Sequence, residues 1–254
     1  MDTLYHSNIE NRIIEQTKLF GASIAGICNI ASLKKSPSHT RSDDFLAGID
    51  DIVVPLEVSP SDMVEKVTWP DDMLSVLVWG IAHEKKQPEL DWWSQVPGGT
   101  PGNRFLIDIS KKMQKWLKDE LHLQSRRLHY YVHEGGIFLK DTAVLAGLGV
   151  IGKNNILITP EFGPRIRLRA MFLSAELESS LSSNFDPCAT CDMPCQRLCP
   201  QNAFQNGSYD RHLCKKQMQL DLSPALIEKT NNDYPPDSIV KFCRACEFTC
   251  PVAQ

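Results

Sequence analysis

Eight of the nine cysteines lie between residues 188 and 250, and seven of them form two runs of similar spacing. The first run, over 188–200, reads C-x2-C-x3-C-x3-C-P, and the second, over 243–251, reads C-x2-C-x3-C-P, with Cys214 between them. Clustered cysteines in a reducing compartment indicate metal or redox chemistry rather than disulfides. The ninth, Cys28, lies in an apolar segment, where we expect it to pack as a small hydrophobic side chain.

This spacing points to iron. The bacterial run for [4Fe–4S] clusters is C-x2-C-x2-C-x3-C-P, and its fourth cysteine ligates the other cluster. The first run here differs by one extra residue between Cys191 and Cys195. Paired C-x2-C units can also hold zinc, which is the alternative. With the crossing rule, the predicted sets are Cys188, Cys191, Cys195 and Cys250 for one cluster, and Cys199, Cys214, Cys243 and Cys246 for the other.

The stretch AGLGVIGKN, residues 146–154, contains both a G-x-G-x-x-G and a G-x-x-x-x-G-K pattern. The dinucleotide motif needs a strand before its glycines and a helix after them. Here helical spacing precedes the glycines and the β-branched NILIT follows them. The triphosphate motif needs Ser or Thr after the lysine, where Asn154 stands. We expect Gly147 to end a helix, and the glycines to allow close approach of a ligand or another segment.

The elements that would position these residues alternate between strands and helices, which indicates an α/β architecture. A capping box over Ser7–Glu10 predicts a helix that ends near Gly21, and apolar spacing predicts helices over 104–121 and 137–147. The strand-like segments are 23–30, 74–80, 128–133, 154–160 and 168–177. Segments 34–44 and 95–103 are loop-like by composition.

Composition is ordinary for a soluble globular protein, with 42% hydrophobic residues, 23% charged residues and a net charge of −4. The first residues carry no basic region followed by an apolar run, and no apolar stretch is long enough to cross a membrane. We therefore expect a cytoplasmic protein with no membrane partner. After Leu177 the sequence turns polar and cysteine-rich, which predicts two domains, 1–178 and 179–254.

Together, AGLGVIGKN, the NILIT segment and the two cysteine runs resemble the epoxyqueuosine reductase family, which is related to reductive dehalogenases. The resemblance covers most of the chain. It implies an α/β corrinoid-binding domain of nitroreductase-like type, followed by a ferredoxin-like domain with two [4Fe–4S] clusters. It also implies that Gly152, Lys153 and Asn154 lie beside cobalamin or another corrinoid. Electrons from a ferredoxin or flavodoxin-type donor would pass through the clusters to that corrinoid for a reductive reaction.

One position departs from the family in a way that bears on catalysis. The reductases read roughly Y-V-D-T-G-P-V-L-E, with the Asp as proton donor, whereas this chain reads YVHEGGIFL over 131–139. His133 thus stands at the acid's position and is our candidate catalytic residue, since histidine can donate a proton near neutral pH. It could instead ligate cobalt, or be a strand residue satisfied by the backbone. Glu134 and Asp141 are possible replacement acids, and Asp141 is expected to face solvent.

Expected partners are less specific. The family's reductases continue into a helical-repeat region that helps hold tRNA, whereas this sequence ends four residues after Cys250, so tRNA is an open alternative. The lysines along 104–121 are expected to form a solvated face. Arg165, Arg167 and Arg169 should share one face of a strand, towards an anionic ligand or solvent. A second interpretation is an electron carrier or activator of a corrinoid protein, without substrate chemistry of its own.

Overall fold

The computed structural model of the chain describes residues 3–47, 64, 66–180, 184–223, 228–229 and 238–253. The strands are β1 (Ile24–Asn29), β2 (Ser75–Ala82), β3 (Ser125–Arg127), β4 (Val150–Ile151), β5 (Leu157–Ile158), β6 (Ile166–Leu173), β7 (Glu228–Lys229) and β8 (Ser238–Ile239). The α-helices are α1 (Thr3–Leu19), α2 (Ile30–Leu33), α3 (Ser42–Ala47), α4 (Pro101–Leu121), α5 (Leu139–Leu145), α6 (Pro194–Arg197), α7 (Arg211–Asp221) and α8 (Ala245–Phe248).

A four-stranded sheet in the order β1-β2-β6-β3 forms the centre of the fold, and every neighbouring pair is antiparallel. One face packs against α1 and α4, where Trp79 of β2 lies among Ile13, Met113 and Leu117. The other face packs against α2 and α5, with Phe172 of β6 in that core. Side chains alternate between the two faces of a strand, so β2 contributes to both cores and is buried along most of its length.

The glycine-rich stretch begins by ending α5 and then enters a tight hairpin. Gly147 has a φ of 71°, and its N–H donates to Val144 O while the Leu148 N–H donates to Ala143 O. This is the Schellman arrangement, which favours glycine because the residue must be left-handed. β4 then pairs antiparallel with β5. The predicted helix stop at Gly147 is therefore confirmed.

The cysteine-rich part of the chain uses short helices. α6 lies inside the first cysteine run and packs against α8, which lies inside the second. α7 begins at a capped end, because the Asp210 carboxylate accepts from the N–H groups of His212 and Leu213. Val240 pairs with Trp93 in an isolated antiparallel bridge, which ties this part to the loop before α4. The predicted boundary near 178 stays a prediction, and residues 181–183 lie outside the described ranges.

Most predicted elements are confirmed, with three corrections. Helix α1 begins at Thr3, ahead of the capping box, because no Gly or Pro over 3–7 interrupts the helix. Segments 34–44 and 95–103 are not wholly loops, since α3 begins at Ser42 and α4 begins at Pro101. Segment 128–133 is not a strand: pairing ends at Arg127, and the Gly136 N–H donates back to Tyr131 O, so the chain turns. Within the described part of the chain, no helix is long and apolar enough to cross a membrane.

Candidate functional site

The fold gathers the seven cysteines of the two runs, together with Cys214, into two sets. The first thiol set is Cys188, Cys191, Cys195 and Cys250. Burial raises the pKa of the Cys195 thiol, and the other three thiols of the set raise it further. Burial likewise raises the pKa of Cys250, where the Val252 N–H opposes the shift and Cys188 and Cys191 add to it. These thiols are near neighbours although Cys188 and Cys250 are far apart in sequence.

The second thiol set is Cys199, Cys214, Cys243 and Cys246. Burial raises the pKa of Cys246 to about 12, and Glu247 and the other three thiols contribute. Burial also raises the pKa of Cys243, with Cys214 and Cys199 adding to it. That each set ligates one cluster, as the crossing rule predicts, stays a prediction. Four thiols held together repel one another as thiolates, so an electron-poor metal centre would relieve the repulsion.

The donor set fits iron–sulfur clusters in its chemistry: eight thiols make two sets of four, and [4Fe–4S] clusters take four cysteine ligands. In the described ranges, no group of three or more His, Cys, Asp or Glu side chains is arranged to hold a single metal ion. The two observations are compatible, because a single zinc draws its sulfurs to about 2.3 Å from one centre, whereas cluster thiolates bind separate irons. Binding of clusters stays a prediction.

The glycine-rich hairpin is packed by the protein itself. A Cβ on Gly149 would lie 2.2 Å from Ile158 O, and one on Gly152 would lie 2.3 Å from Ile158 Cδ1. These glycines therefore allow a close approach of β5, which was one of the two expected uses. The space beside Gly152 is filled by Ile158, so Gly152 does not present an open cradle for a macrocycle.

The turn after Gly152 contacts the cysteine-rich part. Asn154 is buried, its Nδ2 donates to Cys246 O at 3.3 Å, and its Oδ1 accepts from the Ile156 N–H. Lys153 O accepts from Gln196 Nε2 at 2.9 Å, while the Lys153 residue is exposed. The role of Gly152, Lys153 and Asn154 in binding a corrinoid stays a prediction, and of these three only Lys153 has its side chain exposed.

His133 lies in a 3-10 turn rather than in a strand. Its side chain is buried, at 3% exposure, and its Nε2 has no hydrogen-bond partner within the described residues. The Tyr131 ring stacks on it at 5.2 Å between centroids. Burial lowers the pKa of His133, and the charge of Glu134 opposes that shift. A buried nitrogen without a partner is suited to bind a ligand or exchange a proton.

Asp141 was expected to face solvent, and this expectation is wrong. The residue is buried at 4% exposure, because the loop after α2 folds over α5 and donates to its carboxylate. Ser36 Oγ and the Ser38 N–H donate to Oδ2, each at 2.8 Å, and Ser38 Oγ donates to Oδ1 at 2.7 Å. His39 Nδ1 lies 2.8 Å from Ser36 Oγ, and the Phe138 N–H donates to His39 Nε2. The SPSH sequence alone did not indicate this cluster.

The three arginines near β6 all have partners inside the protein, so neither a solvated face nor a free anion site describes them. Arg165 precedes β6 and donates to Ala253 O. Arg167 forms ion pairs with Asp91 and Glu247, both at 2.8 Å. Arg169 donates to Asn103 Oδ1 at 2.9 Å. Arg167 and Arg169 do share one face of the strand, since the intervening Leu168 is buried on the other.

Comparison with known proteins agrees with this fold. No family model matches the sequence. An epoxyqueuosine reductase of Synechocystis sp. is 33% identical over 167 residues, which is 63% of this chain and 54% of that protein. The tetrachloroethene reductive dehalogenase of Sulfurospirillum multivorans is 34% identical over 122 residues, 44% of this chain and 23% of that protein. The chain is therefore similar in sequence to members of both groups.

Solved structures show the same fold in these relatives. The epoxyqueuosine reductase from Streptococcus thermophilus superposes with a TM-score of 0.66 at 17% identity, covering 97% of this chain and 66% of that one. A reductive dehalogenase, whose structure suggests a mechanism for B12-dependent dehalogenation, superposes with a TM-score of 0.58 at 18% identity, covering 94% and 31%. The mixed α/β fold is thus established. The chain spans about half the length of the curated epoxyqueuosine reductases it matches, 46% of one and 54% of another.

Proposed function

We propose that this chain is an iron–sulfur oxidoreductase that passes electrons through two [4Fe–4S] clusters to a bound corrinoid for a reductive reaction. The observation that carries the proposal is the gathering of the two cysteine runs and Cys214 into two sets of four thiols. The packing of α6 against α8 holds the two runs side by side, which would keep two clusters close enough for electrons to pass between them.

The names of the similar proteins support a reaction in which the substrate is reduced. These proteins are named epoxyqueuosine reductase and reductive dehalogenase, and both names describe a reduction. A corrinoid, when bound, supplies a redox-active cobalt that can take up electrons from the clusters. We assign the electron supply to a ferredoxin or flavodoxin-type donor. One epoxyqueuosine reductase of this fold has been solved with a tRNA stem loop, which makes tRNA a partner to test here.

Within this proposal, His133 is the residue that exchanges a proton with the substrate. It takes the position of the family's Asp, and its Nε2 is buried and without a partner in the described part of the chain. Burial lowers the pKa of His133, so the ring is mostly neutral at pH 7 and would take up a proton at its free nitrogen before passing one to the substrate. The stacked Tyr131 would hold the ring in one orientation.

The test is to load the protein anaerobically with iron and sulfide, add cobalamin, desalt it, and measure iron and cobalt per chain. We expect about eight iron, four per cluster, and about one cobalt. Zinc in place of iron would reject the cluster assignment. With cobalt retained, reductive turnover of an epoxyqueuosine tRNA stem loop and of tetrachloroethene would be compared between wild type and His133→Gln. Equal turnover in both proteins would remove His133 from the mechanism.

A second candidate is an electron carrier or activator that serves a corrinoid protein. The observation that favours it is the internal engagement of Gly152 and Asn154, which leaves little of the predicted corrinoid surface free. It predicts about eight iron, no retained cobalt and no turnover of either substrate. It also predicts that the reduced protein transfers electrons to the cobalt of a partner.

A further inference from the structure

We infer that Asp91 and Arg167, which lie far from both cysteine runs in sequence, are positioning residues for the cluster held by Cys199, Cys214, Cys243 and Cys246. With Arg244 and Glu247 they form a buried, charge-balanced network, here called the charge clamp. The inference rests on the proposed function, because it assigns a role towards one of the two proposed clusters.

The charge clamp links the central sheet to the second cysteine run. Arg167 of β6 places Nε 2.8 Å from Asp91 Oδ1 and Nη2 2.8 Å from Glu247 Oε1. Arg244 Nη2 lies 2.7 Å from Glu247 Oε2, and its Nη1 lies beside Asp91 Oδ2. Each guanidinium therefore touches both carboxylates, and each carboxylate touches both guanidiniums. The four side chains form a closed ring.

Two members of the ring lie inside the cysteine run itself. Arg244 stands between Cys243 and Cys246, and Glu247 directly follows Cys246. At the start of α8, the Glu247 carboxylate also accepts from Nε of Arg244, the residue before the helix, at 2.9 Å. The other two members belong to the sheet side, so the ring fixes the ligand loop relative to β6. Asn154 adds a neutral link to the same loop through Cys246 O.

The charge clamp is buried. The side chains of Arg244, Asp91 and Glu247 are 8%, 10% and 10% exposed, and that of Arg167 is 22% exposed. Asp91 Oδ2 and Arg244 Nη1 are close without being aligned as a hydrogen bond, but attraction between opposite charges needs no alignment. Burial raises the pKa of Asp91, but His83, Arg167 and Arg244 more than offset that effect and lower it, so the carboxylate stays charged.

Two positive and two negative groups give the ring a net charge of zero. A charge beside an iron–sulfur cluster shifts its reduction potential, because reduction adds a negative charge to the cluster. Loss of one positive member should lower the potential of the nearby cluster, and loss of one negative member should raise it. Loss of one positive and one negative member together should keep the net charge at zero and return the potential towards the wild-type value. A packing role alone would not produce shifts of opposite sign.

The test uses Arg167→Gln, Glu247→Gln and the double variant, with midpoint potentials of both clusters followed by redox titration and electron paramagnetic resonance. We expect one potential to fall in R167Q, to rise in E247Q and to return towards wild type in the double variant, while the other potential stays constant. Arg169→Gln is the matched control, because Arg169 lies on the same strand face but bonds Asn103 instead of the cysteine run.

Unchanged potentials in both single variants with full iron content would overturn the inference. If the single variants lose iron, the double variant decides: retained iron supports charge pairing, and lost iron rejects it. A wild-type protein without about eight iron would instead refute the proposed function, so the two failures are distinguishable.

Discussion

The side-chain amide of Asn154 donates to the backbone carbonyl of Cys246 at 3.3 Å, which joins the glycine-rich hairpin to the second cysteine run. Each segment is predicted from the sequence to bind a cofactor of its own: a corrinoid for the hairpin and an iron–sulfur cluster for the cysteine run. The contact indicates that one use of the hairpin is to seat the cysteine-rich part against the sheet.

Asn154→Ala should lower the free energy of unfolding by about 1–3 kcal/mol, because it leaves a carbonyl and an N–H without partners in a buried turn. It should also speed the loss of iron to a chelator. Lys153→Ala is the matched control, since its exposed side chain is removed while its carbonyl still accepts from Gln196. Urea unfolding and timed chelation measure both effects, and equal behaviour of the two variants would contradict the role of Asn154.

Alanine substitutions at Gly149 and Gly152 should both clash with Ile158, but a second substitution should relieve only one of the two clashes. Alanine at Gly149 meets the Ile158 backbone carbonyl, whereas alanine at Gly152 meets the end of the Ile158 side chain. Each should destabilise the protein by about 1–3 kcal/mol. Ile158→Val removes Cδ1 and should recover part of the loss in Gly152→Ala but none in Gly149→Ala. A double-mutant cycle on thermal stability checks this, and equal coupling at both glycines would refute the packing argument.

The grouping of the cysteines can be tested with variants of residues from different runs. Cys195→Ser and Cys250→Ser should each leave about four iron of about eight, since both remove a ligand from the same cluster. The double variant should lose no more iron than either single one. Cys28→Ala is the control and should keep full iron, because Cys28 lies in β1. Additive iron loss in the double variant would place the two cysteines on different clusters.

Acid should weaken the hydrogen-bonded cluster of Asp141, Ser36, Ser38 and His39, because His39 takes up a proton. Burial lowers the pKa of His39 from 6.5 to about 4, against the charge of Asp141. Between these values the unfolded chain binds the proton and the folded protein does not, so stability should fall as the pH drops from 6.5 to 4. The loss is on the order of 3 kcal/mol and ends below the folded pKa.

His39→Gln keeps polar atoms at the site without titrating there. The stability difference between wild type and this variant should therefore shrink or reverse across that pH window. His83 and His133 also have lowered pKa values, but they are common to both proteins and cancel in the difference. Parallel pH profiles of unfolding would show that His39 is not responsible.

Local sequence signals predicted much of the fold. The strands β1, β2 and β6 follow from short apolar runs, and α4 follows from its apolar spacing. The helix stop at Gly147 follows from glycine itself, because few other residues adopt its left-handed conformation. The cysteine sets were predicted from ligand spacing, and their binding of clusters stays a prediction. These features depend on residues close in sequence, or on a chemistry that specifies its own partners.

Only the tertiary structure decided which charged groups are buried together. From the sequence, Asp141 is predicted to face solvent on its helix. In the structure it is covered by the loop that contains Ser36 and Ser38, which donate to its carboxylate. From the sequence, Arg167 is expected on a solvated or ligand-binding face. In the structure it forms ion pairs with Asp91 and Glu247, which lie 76 and 80 residues away. Segment 128–133 has strand-like residues, yet strand pairing ends at Arg127 and the chain then turns, with the Gly136 N–H donating back to Tyr131 O. Hydrogen bonds and ion pairs between distant residues have no periodic signature in the sequence. The sequence therefore predicted which cysteines are candidate ligands, and only the tertiary structure showed which buried contacts surround them.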